Sequence, residues 1–239
     1  MSINLIMAEF GRKRKNTGDS SLDAYGRFDP TISTMLKFFP GLCLTIYTDQ
    51  TLRVGFPDAV IKKVPLIGDP KHPRAPWRSS SYWKHYGLLE SPHRISIAMD
   101  ADLYVYSSDV RRLPLLTENF GLCLPMNPRL LVRVDTMVGA DSDKELDETG
   151  GTGFAVNLGL MSFHRDNAPA RSFLEAYCKR RKVEGRSTVS MWRTIWESGS
   201  HFHPYMLPIQ WCVCKKDVGV GDEIILHAGH QAVRDYYKI

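Results

Sequence analysis

The stretch Arg94-Ile-Ser-Ile-Ala-Met-Asp-Ala-Asp-Leu-Tyr-Val105 constrains this chain more than any other. An apolar run with strand character ends in two carboxylates, Asp100 and Asp102, with one residue between them. Side chains alternate along a strand, so residues i and i+2 point the same way. Two carboxylates aimed at one point form a hard, oxygen-rich corner of the kind that Mg²⁺ or Mn²⁺ prefers. At the end of a buried strand, such a corner implies a metal held for a phosphate-bearing substrate. The triplet alone is not specific, since about one Asp-x-Asp is expected by chance at this Asp content. Asp141-Ser-Asp143 is such a chance copy, in a polar run with no strand before it.

The context of the first copy is an alternation of strand-like and helix-like segments. Ile3 to Ala8, Leu42 to Tyr47, Ala59 to Val64 and Ile95 to Met99 read as strands. Pro30 to Phe39 reads as a helix, with Asp29 as N-cap and Pro30 at the first helical position. Ser79 to Leu89 places Tyr82, Trp83, Tyr86 and Leu89 at helical spacing. This βαβ rhythm predicts an α/β fold, a mostly parallel, twisted sheet with helices on both faces. Ligands of such sheets bind at the carboxyl ends of the strands. That edge carries Arg12-Lys-Arg-Lys15, Thr48-Asp-Gln50, the Gly68-Asp-Pro70 turn and the Asp100/Asp102 pair.

The second half differs. Phe120 to Pro125 and Gly153 to Phe163 are strand-like and are separated by a polar loop, Asp135 to Gly151. A loop of that length suggests a substrate-binding or mobile segment. Ala168 to Lys182 and Ser190 to Trp196 read as helices, and Glu223 to Leu226 as a final strand before His227-Ala-Gly-His230. There is no G-x-x-x-x-G-K-[ST] and no G-x-G-x-x-G, which argues against a P-loop NTPase or a dinucleotide enzyme.

At 239 residues and 43% hydrophobic content the chain suits one large domain with a sizeable core. No apolar run approaches the roughly 20 residues of a membrane span, so stable membrane insertion is not expected. The first ten residues read as a strand and not as a signal peptide. Five scattered cysteines make a disulfide framework unexpected and a reducing cytoplasm the default. Cys212-Val-Cys214 has the look of a metal pair but lacks a second pair at zinc spacing. The net charge of +5 permits an anionic partner. The excess sits in Arg12-Lys-Arg-Lys15 and in Cys178-Lys-Arg-Arg-Lys-Val-Glu-Gly-Arg186. The second cluster reads as a solvated helix C-terminus, where cations suit the helix dipole.

Four pieces stand in a telling order: the strand ending in Asp-x-Asp, Val156-Asn-Leu-Gly-Leu-Met-Ser-Phe163, Leu207-Pro-Ile-Gln-Trp211 and Ile224-Ile-Leu-His-Ala-Gly229. Together they resemble the GT-A fold glycosyltransferases of the glycogenin and galactosyltransferase-like kind, over roughly residues 40 to 230. The resemblance implies a single Rossmann-like GT-A domain spanning residues 1–239, with a nucleotide-binding half over 1–110 and a smaller acceptor-binding half over 111–239. It implies that Asp100 and Asp102 hold Mn²⁺ or Mg²⁺ against the diphosphate of the donor, where the ion offsets charge on the leaving group. His227 would be the third protein ligand, and its imidazole suits Mn²⁺ better than Mg²⁺; His230 competes for that role. Asn157 and Gly159 match the family's Asn-x-Gly, with glycine admitting the sugar ring and the amide bonding a hydroxyl. Lys84, with Arg78 as the alternative, would contact the donor's sugar and phosphates. Asp49 would meet the base or ribose, and Arg12 with its neighbours would flank the nucleotide pocket.

The pattern has two departures. Gly185-Arg-Ser-Thr-Val-Ser-Met-Trp192 stands where related retaining enzymes often carry Asp-Gln, and Gln231-Ala-Val-Arg234 stands where Lys-Pro-Trp commonly follows. Asp135, Asp141 and Asp143 read either as a solvated acidic loop or as acceptor-side carboxylates, one of them a base in an inverting enzyme. The implied activity is a cytoplasmic, metal-dependent hexosyl transfer from a nucleotide-diphosphate sugar, a UDP-sugar, to a hydroxyl acceptor. Retention is expected, with the leaving phosphate itself taking the acceptor proton. A glycan acceptor stands ahead of a modified base in DNA. A sugar nucleotidyltransferase and a non-catalytic binding module are the alternatives on the same fold.

Overall fold

The computed structural model describes residues 2–11, 24–50, 56, 58–72, 75–127, 156–183, 187–199, 201–215 and 221–239. The first half alternates as expected through β1 (Ile3–Glu9), α1 (Ala24–Phe38), β2 (Cys43–Thr48), β3 (Val60–Lys63), α2 (Ala75–Glu90) and β4 (Ile95–Met99). A short strand β5 (Leu103–Val105) follows the Asp-x-Asp. Then come a 3-10 turn at Ser108–Arg112, α3 (Leu113–Phe120), β6 (Leu122–Pro125), β7 (Leu160–His164), α4 (Ala168–Val183) and α5 (Ser187–Ser198). The chain closes with β8 (Tyr205–Leu207), a 3-10 turn at Ile209–Trp211, β9 (Ile225–His227) and α6 (Gln231–Tyr237).

Seven strands form one sheet in the order β3-β2-β1-β4-β7-β6-β8. Pairing is parallel throughout except at β7, which runs against both β4 and β6. Every residue of β1 and of β4 is buried, as strands covered by helices on both faces require. Alternation divides the core. Leu5, Met7, Ile97 and Met99 join Ile32 and Met35 of α1 on one face. Ile6, Ala8 and Ala98 join Tyr82 and Leu88 of α2 and Phe173 and Tyr177 of α4 on the other. A methyl on Gly87 would lie 2.6 Å from the Tyr47 ring and 2.9 Å from Ile6 Cγ2, so glycine is what lets α2 lie this close to the sheet.

The reversal at β7 places its first residues beside the last residues of β4, and the Asp100 N–H donates to the Gly159 carbonyl at 2.8 Å. A separate two-stranded ladder pairs β5 with β9 antiparallel, with Leu103 opposite His227. These two junctions assemble the site.

The structure corrects several expectations. α1 begins at Ala24, and Pro30 lies inside it rather than at its start. Proline costs one backbone donor there, while the Thr31 and Thr34 hydroxyls anchor the helix to β5. The strand expected from Gly153 begins only at Leu160; Val156 makes an isolated bridge to Met126, and Leu158 and Gly159 form a turn. Phe120 ends α3 instead of opening β6, because Gly121, at φ +79°, breaks the helix. The second basic cluster is not solvated throughout: Arg181 is buried, Arg180 pairs with Glu197, and Lys182 sits over the Tyr82 ring. Arg12-Lys-Arg-Lys15 and the carboxylates Asp135, Asp141 and Asp143 lie outside the described residues. No described helix is long and apolar enough to cross a membrane.

Candidate metal centre

Asp100 stands at the carboxyl end of β4, Asp102 just before β5 and His227 at the end of β9. One ligand atom from each lies within 4.8 Å of the others, the only such group of three among the described residues. His227 Nε2 is 3.3 Å from Asp102 Oδ1. Its Nδ1 is buried, and the Cys212 thiol stands beside the ring. Burial alone would lower the imidazole pKa, but the Asp102 carboxylate and the nearby Cys212 thiol outweigh it and raise it well above the ordinary value. His230 is not part of the group; its ring packs edge-on against His227 at 4.7 Å. Cys212 and Cys214 are not part of it either, and neither forms a disulfide.

The space around the carboxylates is cleared by glycine. A methyl on Gly229 would sit 2.0 Å from Asp102 Oδ2, and one on Gly159 would sit 3.1 Å from both Asp100 Oδ2 and Asn157 Oδ1. Two carboxylates and an imidazole converging in such a cradle fit a hard divalent ion.

Lys84, on α2, is 3% exposed and donates to Asp100 Oδ1 at 2.5 Å and to the Leu158 carbonyl at 2.8 Å. It therefore ties Asp100 to the neighbouring turn. Asn157 spends its amide oxygen on the Gly159 N–H at 2.9 Å, leaving its NH₂ group for a ligand. Asp49, at the end of β2, accepts the Gly11 N–H at 3.3 Å. A methyl on Gly11 would meet Pro76 Cβ at 2.9 Å, so the ends of β1 and β2 and the start of α2 are tied at one corner. Arg78 lies in the first turn of α2 at that corner, and its Nε is buried without a partner.

Thr31 was not visible from sequence as a site residue. Its hydroxyl is fully buried and lies 2.6 Å from the Leu103 carbonyl, 2.9 Å from that of Ala101 and 3.4 Å from that of Asp100. It grips the backbone that carries both carboxylates. Thr31→Val is expected to cost about 1–3 kcal/mol of stability through the unsatisfied carbonyls. By analogy with other residues that orient metal ligands, it should also weaken Mn²⁺ binding about 10–100-fold. Titration of Mn²⁺ against wild type and variant checks both the size and the order of the effect.

His85 was also missed. It is fully buried beside Lys84. Burial holds its pKa well below 6.5, reinforced by Lys84 and Arg181, while the Leu158 and Ser81 carbonyls pull weakly the other way. The unfolded chain takes up this proton more readily than the folded one. Stability is therefore complete above about pH 6.5 and falls as the pH drops toward the depressed folded value, by at most about 1.4 kcal/mol per pH unit. Thermal midpoints should fall from about pH 6.5 to pH 5, and His85→Gln should flatten that fall; above about pH 6.5 the raised His227 pKa acts in the other direction.

No family model matches the sequence, and no curated protein matches it. Among solved structures, the chain is similar to mouse xyloside xylosyltransferase 1 in its apo form, with a TM-score of 0.54 and 11% identity over 95% of this chain and 97% of that one. At that identity the likeness shows the fold, a GT-A-like α/β arrangement.

Proposed function

We propose that this chain is a metal-dependent glycosyltransferase of the Asp-x-Asp type, which moves a sugar from a nucleotide-diphosphate sugar, a UDP-sugar, to a hydroxyl of a glycan. The observation that carries this reading is the convergence of Asp100, Asp102 and His227 at the carboxyl edge of a sheet with a glycosyltransferase-like fold. Mn²⁺ is the preferred ion because the set includes an imidazole. When bound, it would offset the charge gathering on the departing diphosphate. Asp100, Asp102 and His227 bind it, and Lys84 keeps Asp100 in place. The Asn157 NH₂ group orients the sugar, with Gly159 giving the ring room. Arg78 and Asp49 bind the nucleotide part of the donor. Retention follows if the donor phosphate takes the acceptor proton on the face it leaves.

The whole of 1–239 works as one domain in this reading, with donor binding in 1–110 and acceptor binding in 111–239, in a cytoplasmic setting. Within the second basic cluster Arg181 is buried and Arg180 pairs with Glu197, which favours a glycan acceptor over nucleic acid. The test is a thermal-shift panel of UDP- and GDP-sugars with and without Mn²⁺. A ligand at 100 times its Kd stabilises the native state by about 2.7 kcal/mol. That is a rise of about 5–11 °C for a chain of this size. One sugar nucleotide should produce it, and only with Mn²⁺. No shift from any nucleotide diphosphate would transfer the reading to a non-catalytic binding module.

A further inference from the structure

We propose that His85 and Tyr177 are positioning residues for the turn Asn157-Leu-Gly159, acting through the Leu158 carbonyl to set where Asn157 and Gly159 stand against Asp100. The kinetic consequence rests on the transferase reading; the structural consequence does not.

The turn is held at nearly every polar group. The Asn157 N–H donates to the Pro125 carbonyl at 2.8 Å, and the Gly159 carbonyl accepts from the Asp100 N–H at 2.8 Å. The Asn157 amide oxygen accepts from the Gly159 N–H. The Leu158 carbonyl points inward and takes two donors from α2: Lys84 Nζ at 2.8 Å and His85 Nε2 at 3.3 Å. Behind His85, its Nδ1 meets the Tyr177 hydroxyl of α4 at 3.2 Å, and the rings pack edge-on at 5.5 Å. Both side chains are fully buried.

The Leu158 and Tyr177 contacts can form together in only one tautomer, although the Ser81 carbonyl also neighbours the ring. A neutral imidazole has one donor and one acceptor, and a carbonyl can only accept. Nε2 therefore carries the hydrogen toward Leu158, and Nδ1 accepts from the Tyr177 hydroxyl. The hydroxyl selects the tautomer that grips the turn. Burial keeps the ring neutral, so no second cation stands beside Lys84. At Gly159 a methyl would crowd Asp100 Oδ2 and Asn157 Oδ1 at 3.1 Å, so the turn lies close against both.

The experiment compares wild type with Tyr177→Phe, His85→Gln and His85→Leu, using amide hydrogen exchange at Gly159 and Asp100 together with Mn²⁺-dependent donor kinetics. His85→Leu should speed exchange at those two amides at least about 10-fold and lower kcat about 10–100-fold, leaving UDP affinity near wild type. His85→Gln retains an N–H that can reach Leu158 and should recover most of the loss. Tyr177→Phe should give a smaller loss and change the ¹⁵N signature of the His85 tautomer. Leu174→Val, an apolar change in the same α4 core, should leave exchange at the turn and kcat unchanged. If His85→Leu and Tyr177→Phe behave like Leu174→Val, the positioning role is wrong. A wild type that binds no donor would instead count against the transferase reading, and the exchange measurements would still decide the positioning role.

Discussion

Under the proposed function, Asp102→Asn should lower sugar transfer about 10²–10³-fold and remove the Mn²⁺ dependence of donor binding. The substitution preserves shape and deletes a charge. Asp102 is one of two carboxylates in the group of three and also the partner of His227 Nε2 at 3.3 Å. Losing it would withdraw one of the proposed metal ligands and free the imidazole beside it. The expected size is that of removing a preorganised electrostatic contact at a reacting centre. Asp102 is partly exposed, so the fold should be little affected. Transfer rates and donor titrations with and without Mn²⁺ check it, and a variant that still binds the donor more tightly with Mn²⁺ would contradict the assignment.

Gly229→Ala should lower transfer by about 10²-fold without unfolding the protein. The added methyl would fall 2.0 Å from Asp102 Oδ2, a distance that real contacts do not show, so the carboxylate must swing away. The methyl would also lie 2.8 Å from Asp102 Cγ and 3.3 Å from its Cβ, so the whole carboxylate must turn about the Cα–Cβ bond. That turn would displace a proposed metal ligand by an ångström or more, and misplacements of that size cost about 10²-fold in rate. A midpoint within a few degrees of wild type combined with lost Mn²⁺ binding is the expected pair of results. Normal Mn²⁺ affinity in this variant would mean that Asp102 does not bind the ion in this orientation.

The sequence made Asp100 and Asp102 legible because two local rules coincide there: the period-2 direction of strand side chains and the apolar run before them. The parallel core was legible for the same reason, since β1, β2 and β4 are apolar runs between turn signals. The direction of β7 was not, because a strand's residue pattern is the same in either direction. His227 had meaning only through a resemblance. It joins Asp102 through the β5–β9 ladder, which pairs residues more than a hundred positions apart, and no local pattern announces such a pairing. The resemblance put Lys84 on the donor's sugar and phosphates, and in the fold it is buried against Asp100. Its burial follows from the close approach of α2 to the sheet at Gly87, a tertiary fact that spacing does not carry. Thr31 and His85 act on backbone carbonyls, and a carbonyl has no sequence signature.

The central claim is that Asp100, Asp102 and His227 bind a divalent ion that joins the protein to a nucleoside diphosphate. The most direct measurement is calorimetric titration of UDP into the protein, with and without Mn²⁺, beside Asp102→Asn. The account predicts that Mn²⁺ tightens UDP binding at least about 10-fold in the wild type, about 1.4 kcal/mol, and does nothing in the variant. Equal UDP affinity with and without Mn²⁺ in the wild type would contradict it.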